Sequence, residues 1–139
     1  MTINVLTLMT PKNDVEFLYD DYSLRQALEK MEVHQYQAIP IITRSGAYLG
    51  TVTEGDLLWF IKQENRFSIA RSENITLAKI NLSKKYQAVS VLAPVQDIFK
   101  LAIQQNYIPV IDDQQIFIGI IRRQTVMRYL YEQLFEATT

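Results

Sequence analysis

The chain has 139 residues, with 14 basic and 15 acidic side chains, a net charge of −1 and 48% hydrophobic residues, and it has no cysteine. That length suits one ordinary domain, and the lack of cysteine excludes disulfides, thiol chemistry and zinc-finger spacing. Near-neutral charge without a polybasic run argues against non-specific binding to nucleic acid or to an anionic membrane.

From Met1 to Pro11 there is neither a charged leader region nor a long apolar core, so no signal peptide is expected. The longest apolar runs fall far short of a membrane span, and the expected compartment is the cytoplasm. A short apolar stretch, Ile3 to Met9, stops at Thr10-Pro11-Lys12-Asn13-Asp14, and an extended run from Val15 to Tyr19 follows. Asp20-Asp21-Tyr22 turns the chain into a helix: Ser23 stands at the cap, with Gln26 at capping-box spacing. Leu24, Ala27, Leu28 and Met31 then mark one helical face. Ala38 to Ile42 reads as a strand in which Pro40 requires an edge or opening position. Thr43 to Gly46 makes a hairpin turn, Tyr48 to Val52 the return strand, and Glu54 to Gln63 a second helix. Lys62 to Asn74 is a polar connection, and Ile75 to Leu82 a short helix capped by Asn74.

The order then repeats. Val89 to Val91 is a strand, and Pro94 takes the first helical position. Val95, Ile98, Phe99 and Ala102 form the apolar stripe. Ile108–Ile111 and Ile116–Ile121 are strands around the turn Asp112 to Gln115, and Gln124 to Phe135 is the last helix. Pro40 and Gly50 are ten residues apart, as are Pro109 and Gly119, and the two pairs lie 69 residues apart. The stripes repeat at 71, so the second copy is two residues shorter between helix and strand. The sequence is an internal repeat of two β-α-β-β-α units. A unit of about 60 residues is marginal alone, which predicts one module with two lobes.

The turns into the second helices carry the most chemistry. Thr53 stands at a helix start, where free N–H groups and the dipole favour an anion, and Asp56 is placed to accept two vicinal hydroxyls. The same pair also serves as an N-cap and a capping-box partner with no ligand involved. The corresponding positions of the second copy hold Arg122 and Thr125. Arginine cannot cap a helix, and Arg122-Arg123 sit against the positive end of the dipole. Either an anion compensates them, since guanidinium forks suit phosphate oxygens, or they are solvated surface residues. His34, the single histidine, flanks the end of the first helix, and one histidine without cysteine builds no usual transition-metal site. The acidic pairs Asp20-Asp21 and Asp112-Asp113 lack calcium-loop spacing. Without a catalytic triad, a metal cluster or a phosphate-binding glycine motif, the chain is not expected to be an enzyme.

Leu8-Met9-Thr10-Pro11, Gln26-Ala27-Leu28, Ala38-Ile39-Pro40 and Gly50-Thr51-Val52-Thr53 with Asp56 follow in an order that resembles a tandem pair of CBS domains. The likeness is to a small stand-alone protein of the bacterial type and covers nearly the whole chain. It implies an α/β (α+β) fold of two β-α-β-β-α repeats packed with pseudo-twofold symmetry. The first motif spans 1–64, the connection 65–76 and the second motif 77–139. It further implies a regulatory module that binds an adenosine-containing ligand in clefts between the repeats: AMP, ADP, ATP, S-adenosylmethionine or cyclic di-AMP. One cleft would join Thr53 and Asp56 to Lys84, Lys85, Ala88, Val89, Asn106, Tyr107 and Ile108. The other would join Arg122, Arg123 and Thr125 to Lys12, Asn13, Val15, Tyr36, Gln37, Ala38 and Ile39. Tyr36 and Tyr107 are equally read as core-edge aromatics, and Ala38, Ile39 and Ile108 would be apolar in any version of this fold. No cofactor is required beyond the regulatory nucleotide. Trp59, Phe60, Tyr129, Tyr131, Leu134 and Phe135 lie on the second helices, the expected homodimer face, with intramolecular packing as the other reading. With no effector domain attached, the signal is expected to pass to a separate protein. The rival is a structural dimerisation scaffold with degenerate clefts, favoured by the loss of the Thr/Asp pair in the second copy.

Overall fold

The structure, a computed structural model, describes residues 3–63, 69–80, 82 and 86–136. In chain order the elements are α1 (Val5–Leu8), β1 (Thr10–Pro11), β2 (Leu18–Tyr19), α2 (Leu24–His34), β3 (Ala38–Ile42), β4 (Tyr48–Thr53) and α3 (Glu54–Gln63). There follow α4 (Ile69–Ser72), β5 (Val89–Ser90), α5 (Val95–Gln104), β6 (Tyr107–Ile111), β7 (Phe117–Arg122) and α6 (Arg123–Phe135), with 3₁₀ turns at Lys12–Asp14 and Leu77–Lys79. The expected β-α-β-β-α order occurs twice, as β2-α2-β3-β4-α3 and as β5-α5-β6-β7-α6. The chain divides into two compact units, one of Glu16–Lys84 and one of Met1–Val15 with Lys85–Thr139. Sequence copies and packed units are therefore different divisions of the chain.

The continuous unit holds a three-stranded sheet in the order β2-β3-β4, with β2 parallel and β4 antiparallel to β3. Its helix α2 starts on the expected box: the Gln26 N–H donates to Ser23 Oγ at 3.1 Å and the Ser23 N–H to Gln26 Oε1 at 2.8 Å. The apolar stripe that follows is buried at Leu24, Ala27 and Met31 against Leu18, Ile39, Ile41, Val52 and Leu57. Leu77 and Ile80, from the lead-in to the second copy, complete this core. Backbone bonds tie them in: Leu24 N–H to the Ile75 carbonyl at 2.7 Å, Leu77 N–H to Tyr22 at 2.9 Å and Ala78 N–H to Asp20 at 3.0 Å. Those tertiary bonds explain why the helix expected over Ile75 to Leu82 shrinks to a single 3₁₀ turn. Asn74 does not cap it: the cap position is held by Thr76, with no side-chain cap bond.

The second unit mirrors the first with the parts exchanged. Its sheet runs β1-β7-β6-β5, and β1 comes from the N-terminal lead-in, pairing Thr10 with Ile120 and Pro11 with Gly119. Val5 and Leu8 of α1 are buried with Val89, Ile98, Ala102, Ile108, Val110, Ile121 and Val126. Full burial of each such side chain is worth about 1.5–3 kcal/mol, so each lead-in is a real part of the core that it enters. Gly119 permits the approach: a methyl group there would collide with the Thr10 carbonyl oxygen and come within 2.8 Å of Met9 Cγ.

Two further expectations need correction. Pro94 is the cap residue of α5, in extended conformation, one position before the first helical residue. Pro40 is neither at an edge nor at an opening, but in the middle of β3, and Pro109 is likewise in the middle of β6. A proline is tolerated there because the neighbouring parallel strand pairs only from the next residue onward, at Ile41 and at Val110.

Candidate functional site

At the start of α3 the Thr53 hydroxyl oxygen accepts the Asp56 N–H at 3.1 Å, and Asp56 Oδ2 accepts the Thr53 N–H at 2.9 Å. This is the reciprocal capping box, so the purely structural role of the pair is fulfilled. Both side chains remain half-exposed. The Glu54 N–H at the helix start donates to the Gln37 carbonyl at 3.1 Å. Register carries Ala38 to the same place, opposite Thr53. Tyr36 stacks on His34, with ring centroids 5.2 Å apart, and leans on the core, while the Ile39 side chain is wholly inside it.

The second copy repeats the backbone and changes the side chains. The Arg123 N–H donates to the Asn106 carbonyl at 2.9 Å, and Tyr107 stands opposite Arg122 in register. Arg122 occupies the cap position of α6, exposed and without a side-chain cap bond. Thr125, three residues on, is half-buried. Arg123 is compensated by protein: its Nε donates to the Ala102 carbonyl at 2.7 Å, in the last turn of α5, where helix carbonyls lack partners. Ile108 is fully buried, and Tyr107 is buried beside Tyr86, with ring centroids 5.0 Å apart.

Lys12 and Asn13 lie in the 3₁₀ turn that follows β1, and the Val15 N–H closes that turn on the Lys12 carbonyl at 3.1 Å. The β1–β7 register runs from Ile120 at Thr10 to Gly119 at Pro11, so the chain leaves toward the Ile118 end of β7. Arg122 is at the other end. The lead-in and the double arginine thus share one sheet without meeting at one end of it. Ala88 and Val89 line an open cleft of about 630 Å³ with Ser90, Ala93, Asp97 and Lys100. Lys84 and Lys85 lie outside the described residues.

Of the aromatic set on the second helices, Phe60 and Tyr129 pack against the cores. Trp59, Tyr131, Leu134 and Phe135 are exposed, with Lys62 over the Trp59 ring and Tyr131 beside Phe135. Among the described residues no group of three or more His, Cys, Asp or Glu is placed to hold a metal ion. No helix among them is long and apolar enough to cross a membrane.

Sequence reasoning missed how the entry to each β-α-β-β-α unit is held. In the first copy Lys30 pairs with Glu16 at 2.8 Å and reaches the Phe17 carbonyl at 3.5 Å. The lysine holds the Glu16 carboxyl below its usual pKa, by hydrogen bonding and charge. Next to it Arg44 grips Asp21 through two bonds, of 2.8 and 3.0 Å, lowering that carboxyl as well, and lies 4.0 Å over the Tyr19 ring. In the second copy the holder is Gln105, only 2% exposed. The available signal was its polar side chain at the position, 69 residues on, that matches the core-packed Tyr36.

The β-α-β-β-α order thus occurs in both copies, with the capped helix start in the first alone. The family model for the CBS domain matches residues 5–63 and 77–132, and the chain belongs to that family. The structure is similar to that of CbpB in complex with c-di-AMP (TM-score 0.87, 20% identity, 98% of this chain and 89% of that one). It is also similar to CbpB of Listeria monocytogenes in complex with c-di-AMP (0.80, 17% identity, 94% and 96%). CBSX2 in complex with AMP has the same fold (0.75, 22% identity, 96% and 99%). A curated homoserine O-acetyltransferase of Methanohalophilus mahii is 28% identical over 113 residues, 81% of this chain. The chain spans only 22% of that relative's length.

Proposed function

We propose that this CBS pair is a non-enzymatic regulatory module that binds an adenine nucleotide, of the cyclic di-AMP or AMP kind, and signals to a separate protein. The observation that carries it is the likeness over nearly the full chain to CBS pairs whose structures hold c-di-AMP or AMP. The residues assigned to the nucleotide are those of the helix-start turns and strand openings. Thr53 and Asp56 serve phosphate and ribose, and Arg122 serves phosphate; the remaining contacts come from Lys12, Asn13, Val15, Tyr36, Gln37, Ala38, Ile39, Lys84, Lys85, Ala88, Val89, Asn106, Tyr107, Ile108, Arg123 and Thr125. Trp59, Tyr131, Leu134 and Phe135 are assigned to a homodimer contact, and the compartment to the cytoplasm.

The test is thermal unfolding with AMP, ADP, ATP, S-adenosylmethionine and cyclic di-AMP. A ligand at a hundred times its Kd stabilises the fold by about 2.7 kcal/mol. Asp56→Asn is the informative variant, because its amide oxygen still accepts the Thr53 N–H while the charge that would take ribose hydroxyls is gone. The expected result is a ligand shift in the wild type that Asp56→Asn loses while it still unfolds cooperatively. A scaffold with degenerate sites is the second reading, favoured by the missing cap pair at Arg122 and Thr125 and by the Arg123–Ala102 bond. It predicts no shift with any nucleotide at millimolar concentration.

A further inference from the structure

The Gln105 side chain uses its whole amide on backbone. Its Oε1 accepts the Gln87 N–H at 2.9 Å, while Nε2 donates to the Gln87 carbonyl and to the Tyr107 carbonyl, each at 3.0 Å. One donor and one acceptor exchanged with a single residue is the pattern that two directly opposed residues make in an antiparallel ladder. Parallel β5–β6 pairing in this unit covers only Val89 with Val110 and Ser90 with Ile111. The Gln105 amide continues the tie two residues upstream, as a substitute for the missing strand. It fixes the spacing between the 86–89 entry and the start of β6, and Tyr86 lies on Tyr107 across the same gap. Gln105 itself is held in place by its own N–H, bonded to the Leu101 carbonyl at 3.0 Å at the end of α5.

We infer that Gln105 is a positioning residue for nucleotide binding: it sets the geometry of Ala88 and Val89 against Asn106 and Tyr107 without touching the ligand. This rests on the nucleotide-binding reading. A buried amide whose donors and acceptor are all engaged tolerates little drift, whereas an exposed ion pair on long side chains allows it. The segment it holds therefore has one fixed separation from β6.

The experiment is isothermal titration of c-di-AMP and of AMP into wild type, Gln105→Leu and Ile98→Val, at a temperature where circular dichroism finds all three fully folded. Ile98 is buried in the same core, away from the amide bonds, and its variant controls for loss of stability alone. In Gln105→Leu, Kd is expected to rise about tenfold and exchange of the Gln87 amide proton to accelerate, with Kd unchanged in Ile98→Val. If wild type binds and Gln105→Leu binds equally well, or if both variants weaken binding alike, the positioning role is overturned and the function stands. If wild type binds neither nucleotide, the function reading falls, and the positioning role with it.

Discussion

The two copies hold their entry segments by different physics. In the first, Glu16 and Lys30 form a partly exposed ion pair, with side chains 39% and 30% exposed. In the second, the buried, neutral Gln105 side chain holds Gln87 by two hydrogen bonds. The helix starts differ in the same way, a reciprocal Thr53–Asp56 cap against an uncapped Arg122. Repeated backbone is thus stabilised by side chains that answer to different conditions. Charge on a partly exposed pair is screened by salt and titrates with pH; an amide does neither. The comparison teaches that a shared fold does not give the two halves a shared response.

The largest effect is expected at the neutral clasp. Gln105→Leu removes three hydrogen bonds, those to the Gln87 N–H and to the Gln87 and Tyr107 carbonyls, each worth about 0.5–1.5 kcal/mol. A loss of about 3 kcal/mol in urea unfolding is expected, against less than about 1 kcal/mol for Lys30→Met at the exposed ion pair. Equal losses would break the contrast. Gly119→Ala comes next, expected to cost about 2 kcal/mol as overpacking against the Thr10 backbone, which cannot rotate aside. Thr53→Ala should cost about 1 kcal/mol as a lost cap. Arg122→Ala at the matching position should stay within about 0.5 kcal/mol, because no cap bond is there to lose.

The smallest effect is the most diagnostic. Glu16 has a lowered folded pKa, through its hydrogen bond with Lys30 and the charge of that lysine. A depressed carboxyl contributes stability above its unfolded value of 4.5, lost as pH falls through the lower folded value. The stability gap between wild type and Glu16→Gln should therefore be constant from neutral pH down to about 5.5 and close in acid. No such closing is expected for Gln105→Leu, whose clasp holds no titratable group.

Much of this was legible in the sequence because the signals were local. The Ser23 box, the apolar stripes and the proline-to-glycine spacing each dictate structure within a few residues, and α2, α5 and the two antiparallel strand pairs followed from them. The exchange of lead-ins was not legible. Val5 and Leu8, or Leu77 and Ile80, are too short a pattern to say which core they enter. The bond of Arg123 was hidden for a related reason: a charge at the wrong end of its own helix reaches the carbonyl end of another. Of the candidate site, the Thr53–Asp56 turn was readable down to its bonds, whereas the placing of Lys12 depended on a strand register that no local signal sets.

The exchanged lead-ins also bear on the order in which the molecule is made. Glu16–Lys84 is one unbroken stretch, so that unit holds all its parts once the ribosome has passed its end. The other unit needs Val5, Leu8 and Thr10 to join strands more than 100 residues later, since Thr10 pairs with Ile120. A contact of that separation is slow to close and cannot form until the far strand exists. During synthesis the N-terminal apolar segment waits without its core while the middle of the chain folds. In refolding, amides of β3 and β4 should be protected before those of β7, and pulsed hydrogen exchange would record the interval.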